Sequence, residues 1–212
     1  MNNSPSSAAM AAQICDQIRA VFAPPHPSSA AAAFSLLPPP LEVLAGEIAR
    51  AANASKKVFV HGVGREGLML KAFCMRLFHL GISSHVVGDV TTPPISSGDL
   101  LIASAGPGSF STVDAICRVS KSAGARIVLI TAQPGSGSEA SLLADSVAYL
   151  PGRTMADDEV EEGSGASPEW WLPMGSVYEG AMFVLFEMVV VKLGEKFGRT
   201  AADLRSRHTN LE

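Results

Sequence analysis

Residues 57–67, KVFVHGVGREG, decide the fold of this chain. A short run of β-branched and apolar residues is followed at once by a G-x-G-x-x-G turn, Gly62 to Gly67, and then by a segment with helical spacing. Glycines in such a turn let the backbone approach an anion at the N-terminus of the next helix. The stretch therefore predicts a strand, a helix and an anion site between them.

The same turn is compatible with other interpretations. Asp89 follows roughly 20 residues later, at the end of the next predicted strand, where a dinucleotide-binding protein holds a ribose hydroxyl. The local pattern therefore fits NAD as well as a phosphate. It also fits a tight strand-to-helix turn without a ligand, because such turns are common in parallel sheets. The turn alone leaves these alternatives open.

The alternation of strand and helix repeats along the chain. Apolar runs typical of buried strands occur at 57–61, 84–87, 99–104, 127–131 and 146–150. Segments with helical periodicity lie between them at 67–80, 111–122 and 139–144. We expect a three-layer αβα fold, with a five-stranded parallel sheet, flanking helices and right-handed crossovers. A long apolar C-terminal helix, 176–193, and a polar tail, 201–212, complete the prediction.

Length and composition indicate one compact domain. The chain has 212 residues, of which 47% are hydrophobic, enough for one sizeable α/β core and too few for two ordinary domains. Residues 1–40 are predicted to form a helix (8–22) and a linker rich in Pro, Ala and Ser, and residues 41–212 the domain itself. The acidic segment 151–173, with Trp170-Trp171, predicts a lid, a binding segment or a disordered loop.

The charge balance favours a small molecule as the partner. A formal net charge of −4 gives no attraction to nucleic acid or to an anionic membrane surface. The longest apolar run, 181–191, is interrupted by Glu187 and is too short to span a membrane. We expect a cytoplasmic protein, and the Ser- and Ala-rich N-terminus leaves a plastid transit peptide as an alternative.

Neither cysteines nor histidines are spaced as metal ligands. The cysteines are odd in number and far apart, so they are expected to be reduced and buried. The histidines show no ligand spacing among themselves, and no metal site is predicted. The residues considered are Cys15, Cys74, Cys117, His61, His79, His85 and His208.

Two further loops join a predicted strand to a predicted helix or turn and carry hydroxyl groups. Since the carboxyl ends of parallel strands meet at one edge of a sheet, these loops and the first turn are expected to form one pocket. For Ser111 and Thr112, capping of the helix N-terminus is the alternative. The candidate ligand-binding residues are Gly64, Arg65, Glu66, Ser104, Ser109, Ser111, Thr112 and Thr131.

A carboxylate stands at the start of the C-terminal apolar helix. Glu179, in the stretch PMGSVYE, is placed where it could project into the pocket and move protons as a general base. Alternatively, Ser176 and Glu179 match the S-x-x-E capping box, in which the glutamate accepts a hydrogen bond from the cap residue. The pattern leaves both open. Glu187, amid apolar neighbours, is expected to have a structural or interface role.

Several short stretches complete the pattern. They are GVGREG (62–67), KAF (71–73), MRL (75–77), HLG (79–81), VVG (86–88), GDLLIA (98–103), PGRT (151–154), PMG (173–175), RH (207–208) and NLE (210–212). With the elements above, they resemble the sugar isomerase (SIS) domain proteins, and among these the 6-phospho-3-hexuloisomerases. The resemblance runs from about residue 41 to the C-terminus.

The resemblance implies a function. Members of that family interconvert a 3-keto hexulose 6-phosphate and fructose 6-phosphate through an enediol, by aldose–ketose type chemistry without a cofactor. It implies that Glu179 is the base and that His208 is an acid or ring-opening group. It further implies a homotetramer in which His208 reaches the site of a neighbouring subunit. The NAD interpretation loses most of its support.

Two stretches depart from the family pattern. Where the first turn usually reads G-x-G-R-S-G, Glu66 replaces the serine and brings a negative charge to a site for a dianion. Where the next loop usually reads S-G-S-G-E-T, residues 105–110 read AGPGSF and lose three hydroxyl positions. Ser109, Ser111 and Thr112 could replace the lost donors through a shifted loop. We also consider a non-catalytic SIS-fold protein that binds another carbohydrate derivative, one with a cationic or hydroxyl-rich group that suits Glu66.

Overall fold

The helices and strands follow the predicted alternation. A computed structural model describes residues 5–24, 33–157 and 172–211. The strands are β1 Val58–His61, β2 Ser84–Val86, β3 Leu100–Ser104, β4 Arg126–Thr131 and β5 Ser146–Tyr149. The helices are α1 Ser7–Ala20, α2 Pro40–Asn53, α3 Gly64–His79, α4 Ser111–Ser122, α5 Glu139–Leu143, α6 Ser176–Lys196 and α7 Ala201–Ser206.

The five strands form one parallel sheet in the order β2-β1-β3-β4-β5. The predicted parallel α/β architecture is confirmed. From β1 the chain crosses to β2 on one side, whereas β3, β4 and β5 continue on the other. The strand order therefore reverses between β1 and β3, which is where open parallel sheets place their ligand crevices.

Opposite faces of the sheet belong to two apolar clusters, because successive strand residues point to opposite faces. Val58 and Val60 face α2, α3 and α6 in the larger cluster, whereas Phe59 and Leu101 face α4 and α5 in the smaller one. Right-handed crossovers explain this division, since α3 returns to one side of β1 and α4 and α5 lead to the other. A three-layer sandwich results.

The two ends of the described chain pack against this sandwich. Ile18 of α1 packs so closely against α6 that a Cβ on Gly180 would lie 2.7 Å from its Cδ1 atom, and Val21 is buried in the larger cluster. The tail predicted as polar contains a short helix, α7, whose first turn is fixed by reciprocal hydrogen bonds of Thr200 and Asp203. The Trp170-Trp171 pair lies outside the described residues.

Among the described residues, no helix combines the length and the hydrophobicity that a membrane span requires.

Candidate functional site

A cavity of about 550 Å³ lies at the carboxyl ends of β1 and β3. Its described walls are residues 63–66 after β1, Pro107 and Phe110 after β3, residues 154–155, and residues 173–179 without 177. This is the edge at which the strand order reverses. The fold therefore brings the first turn and the start of α6 together at one cavity.

Three helices begin at the cavity: α3, α4 and α6. Their N-cap residues are Val63, Phe110 and Gly175, and none of these caps provides a side-chain hydrogen bond. Of the helices that begin elsewhere, α1, α5 and α7 are capped by serine or threonine side chains, whereas α2 begins after Pro39 without a side-chain cap. Backbone amides and the positive ends of three helix dipoles are therefore directed at one region, which is an environment that attracts anions.

The helix-capping roles considered for Ser111, Thr112 and Glu179 are wrong. Because Phe110 is the N-cap of α4, Ser111 and Thr112 occupy the first helical positions instead, and both are exposed. Gly175, with a φ of 79°, is the N-cap of α6, so Ser176 does not form the capping box with Glu179. Glu179 is consequently available for another role.

Glu179 forms an ion pair with Arg65 across the cavity. The Arg65 Nη2 atom lies 3.0 Å from Oε2 of Glu179, and the same guanidinium donates to Oγ of Ser176 at 2.7 Å and to the carbonyl of Met174. Burial raises the pKa of the Glu179 carboxyl; Arg65 lowers it, nearby Glu66 raises it, and the net change is upward. A half-buried carboxylate with a raised pKa suits a general base.

Glu66 is buried, with only 6% of its surface exposed. Its carboxylate accepts hydrogen bonds from the Ser104 hydroxyl at 2.5 Å and from the amide of Gly106, at 3.0 Å to one oxygen and 3.2 Å to the other. Burial raises the pKa of Glu66, and these hydrogen bonds offset the effect only in part. The first-turn carboxylate is thus bonded to the second loop.

Tyr178 is a site residue that the sequence did not indicate. It is fully buried beside Glu66 and lines the cavity, and its hydroxyl lies 3.4 Å from Oγ of Ser104. Burial, followed by the charge of Glu66, raises the pKa of this hydroxyl well above its usual value, so Tyr178 stays neutral. An aromatic residue in an apolar helix is ordinarily part of the core. The only sequence feature that could have pointed to Tyr178 is its position next to Glu179.

The structure places the predicted ligand-binding residues in two groups. Gly64, Arg65 and Glu66 line the cavity, whereas the hydroxyl residues of the second and third loops are outside its described lining. Ser104 and Thr131 are fully buried behind the wall; the Thr131 hydroxyl donates to the carbonyl of Gly106 at 3.4 Å. The Ser109 hydroxyl donates to Asp114, at the start of α4.

His208 lies far from the cavity of its own chain. Its ring stacks on His79 with centroids 5.4 Å apart, at the C-terminal end of α3. Because a helix rises about 1.5 Å per residue, α3 separates His79 from Gly64 by about 22 Å. Within one subunit, Glu179 and His208 therefore do not meet.

Asp89, considered above for a ribose, belongs to another crevice. It lines a smaller cavity of about 260 Å³ between β1 and β2, where it lies 3.7 Å from Lys71. Among the described residues, no group of three or more His, Cys, Asp or Glu side chains is arranged to hold a metal ion.

Comparisons with known proteins identify the relatives of this chain. No protein-family model matches it. The 3-hexulose-6-phosphate isomerase of Mycobacterium gastri is 41% identical over 156 residues, which cover 74% of each chain. The chain belongs to the 3-hexulose-6-phosphate isomerase family. The family member of Bacillus subtilis is 33% identical over 159 residues, which cover 75% of this chain and 82% of that one.

Solved structures agree with this family assignment. A Methanococcus jannaschii protein, whose structure was taken to infer 3-hexulose-6-phosphate isomerase function, superposes with a TM-score of 0.69 at 25% identity. The superposition covers 94% of this chain and 97% of the other. The sugar isomerase domain of a transcription factor from Sphaerobacter thermophilus shares the fold, with a TM-score of 0.60 at 16% identity over 94% and 96% of the two chains. The predicted SIS fold is confirmed.

Membership in this family bears on the alternatives drawn from the sequence. Several relatives are named as isomerases, which does not favour a non-catalytic carbohydrate-binding protein. The unusual Glu66 does not stand free in the cavity as an unpaired charge, since it is bonded to Ser104 and Gly106. Glu66, which departs from the family pattern, is therefore a hydrogen-bonded part of the cavity wall.

Proposed function

We propose that this protein interconverts a 3-hexulose 6-phosphate and fructose 6-phosphate. The observation that carries the proposal is Glu179, a half-buried carboxylate held by Arg65 in a cavity that three helix N-termini face. The names of its relatives supply the substrate class. Positive helix ends suit a phosphorylated ligand, and the carboxylate suits proton transfer between neighbouring carbons.

The reaction moves one proton from C2 to C3 and, in balance, one proton from the C2 hydroxyl to the C3 oxygen. Glu179 removes the proton at C2 while the C3 carbonyl oxygen gains a proton, which gives a 2,3-enediol. The proton then returns to C3 as the C2 hydroxyl loses its own proton, and fructose 6-phosphate results. Arg65 holds the base in place, and the neutral Tyr178 hydroxyl lies in the same cavity wall.

Exchange with solvent deuterium tests this assignment. We expect fructose 6-phosphate, incubated with the protein in deuterated water, to gain deuterium at C3. Glu179→Gln should lower the rate by about 10²–10⁴-fold, the usual contribution of a general base. Glu139→Gln is the matched control, because Glu139 also pairs with an arginine, Arg118, but lies on α5 outside the described lining of the cavity. Exchange that survives in Glu179→Gln, or that is absent from the wild type, contradicts the proposal.

We further propose that the active form is a homotetramer in which His208 serves the cavity of a neighbouring subunit. The separation of His208 from the cavity of its own chain supports this arrangement. So do large apolar side chains on the outer face of α6, where Phe183 is 54% and Val191 is 61% exposed. Light scattering after size-exclusion chromatography should give a mass four times that of one chain.

A further inference from the structure

Glu66 occupies a position that could hold the anion of a ligand. Ser104 ends β3 and Gly106 follows it, and both lie behind the described lining of the cavity. The Ser104 hydroxyl and the Gly106 amide donate to the carboxylate of Glu66, which does line the cavity and separates them from it. Backbone amides after a parallel strand commonly bind the phosphate of a ligand in this way. In this protein, a carboxylate of the same chain takes that place.

The Glu66 side chain is closely confined. A Cβ on Gly106 would lie 2.9 Å from Oε1 of Glu66 and 2.8 Å from the ring of Tyr178, so there is no spare room beside the carboxylate. Its helix is equally fixed, because a Cβ on Gly67 would lie 2.4 Å from the carbonyl oxygen of Gly62. Close packing holds the carboxylate against its donors, and a ligand anion would have to displace it.

Arg65 is the one cation among the described residues that line the cavity. A guanidinium has five N–H donors, and Ser176, Met174 and Glu179 engage the two terminal nitrogens. Among the described residues no acceptor engages the Nε donor, so it is open to a ligand. The Arg65 side chain is 49% exposed, so this donor is within reach of a molecule that enters from solvent.

We propose that Glu66 is a specificity-determining residue that fills the anion position at the end of β3 and shifts the substrate phosphate to Arg65. The inference rests on the proposed function, because it concerns the phosphate of that substrate. Glu66 distinguishes this chain from a protein with serine in the first turn. In such a protein the amide and the hydroxyl at the positions of Gly106 and Ser104 would be free for the ligand.

Phosphate affinity of two Glu66 variants tests the proposal. Glu66→Ser empties the anion position, and Glu66→Gln fills it without a charge. In calorimetric titrations with inorganic phosphate, we expect Glu66→Ser to bind about tenfold more tightly or better, because a like charge is removed and two donors are released. Glu66→Gln should gain less phosphate affinity than Glu66→Ser. The control Glu139→Gln, which removes a charge outside the described lining of the cavity, should bind like the wild type.

A second titration locates the phosphate. Arg65→Met should weaken phosphate binding about tenfold in the wild-type background and clearly less in the Glu66→Ser background, where the emptied position takes over. Phosphate affinities of both Glu66 variants equal to that of the wild type would overturn the proposal. If Glu66→Ser does not fold, Glu66→Gln decides alone. The titrations do not depend on turnover, so an absence of deuterium exchange would refute the proposed reaction without affecting this test.

Discussion

The closest backbone contact of the first turn predicts a large effect of a single methyl group. A Cβ at Gly67 would lie 2.4 Å from the carbonyl oxygen of Gly62, and neither atom belongs to a flexible side chain. Gly67→Ala must therefore separate α3 from the end of β1, and strain of this kind costs about 1–3 kcal/mol. The better helix propensity of alanine returns at most about 1 kcal/mol. Because backbone meets backbone at 2.4 Å, the strain belongs to the upper part of that range, about 2–3 kcal/mol, and we expect a net loss of about 1–2 kcal/mol.

Gly46→Ala is the matched control for this substitution. Gly46 is exposed in the middle of α2, and a Cβ there would meet no atom within 4 Å. The same chemical change should consequently stabilise the protein by about 0.5–1 kcal/mol.

Thermal unfolding measures both changes. In a domain of this size 1 kcal/mol shifts the Tm by about 2–4 °C, so Gly67→Ala should lower the Tm by several degrees and Gly46→Ala should raise it slightly. The movement of α3 should also reduce isomerase activity in Gly67→Ala only, since Arg65 and Glu66 belong to its first turn. A Tm for Gly67→Ala at or above that of the wild type would refute the reasoning.

Three other outcomes follow from the site. First, kcat/KM should fall as the pH is lowered through the pKa of Glu179, because the base must be ionised, and the midpoint of this acid limb should lie above the ordinary glutamate value of about 4.5. Second, Gly106→Ala should lower activity at least about tenfold and cost about 1–3 kcal/mol of stability, since its Cβ would press on Glu66 and Tyr178; steady-state kinetics and thermal unfolding measure the two effects. Third, coexpressed Glu179→Gln and His208→Asn chains should form mixed oligomers with activity that neither variant has alone.

Each of these outcomes can fail in a defined way. An acid limb at or below the ordinary glutamate range would exclude Glu179 as the titrating base. Wild-type kinetics in Gly106→Ala would show that the contact with Glu66 has no role in the reaction. Mixed oligomers as inactive as their parents, although both variants assemble, would place His208 outside the site of the neighbouring subunit.

The fold could be predicted because its signals are local. The central strands β3 and β4 are short apolar runs buried on both faces, at 100–104 and 126–131, and the longer helices α3 and α4 have a distinct apolar periodicity. The short helix α7 was missed, although Thr200 and Asp203 have the spacing of a capping box, because the surrounding tail is polar and lacks an apolar face.

The site could be predicted only where one segment supplies its residues. Gly64, Arg65 and Glu66 share a turn, and Glu179 lies at the start of a recognisable helix, so all four could be proposed from the sequence, and all four line the cavity. The hydrogen-bond partners of Glu66 could not be predicted from the sequence, because Ser104 and Gly106 are 38 and 40 residues distant along the chain. Which side chain bonds to which amide depends on the register between β1 and β3, which the sequence of either strand alone does not specify.

The environment of Glu66 also changes the significance of its charge. From the sequence, a carboxylate in the first turn was expected to repel a phosphate. In the structure, three helix N-termini face the same cavity, each equivalent to about half a positive charge, and Arg65 adds a full one. Together they roughly balance Glu66 and Glu179, so a phosphate does not enter a negatively charged cavity. A second carboxylate is therefore compatible with a sugar-phosphate isomerase, and removing it leaves an excess of positive charge, which is why Glu66→Ser should bind phosphate more tightly.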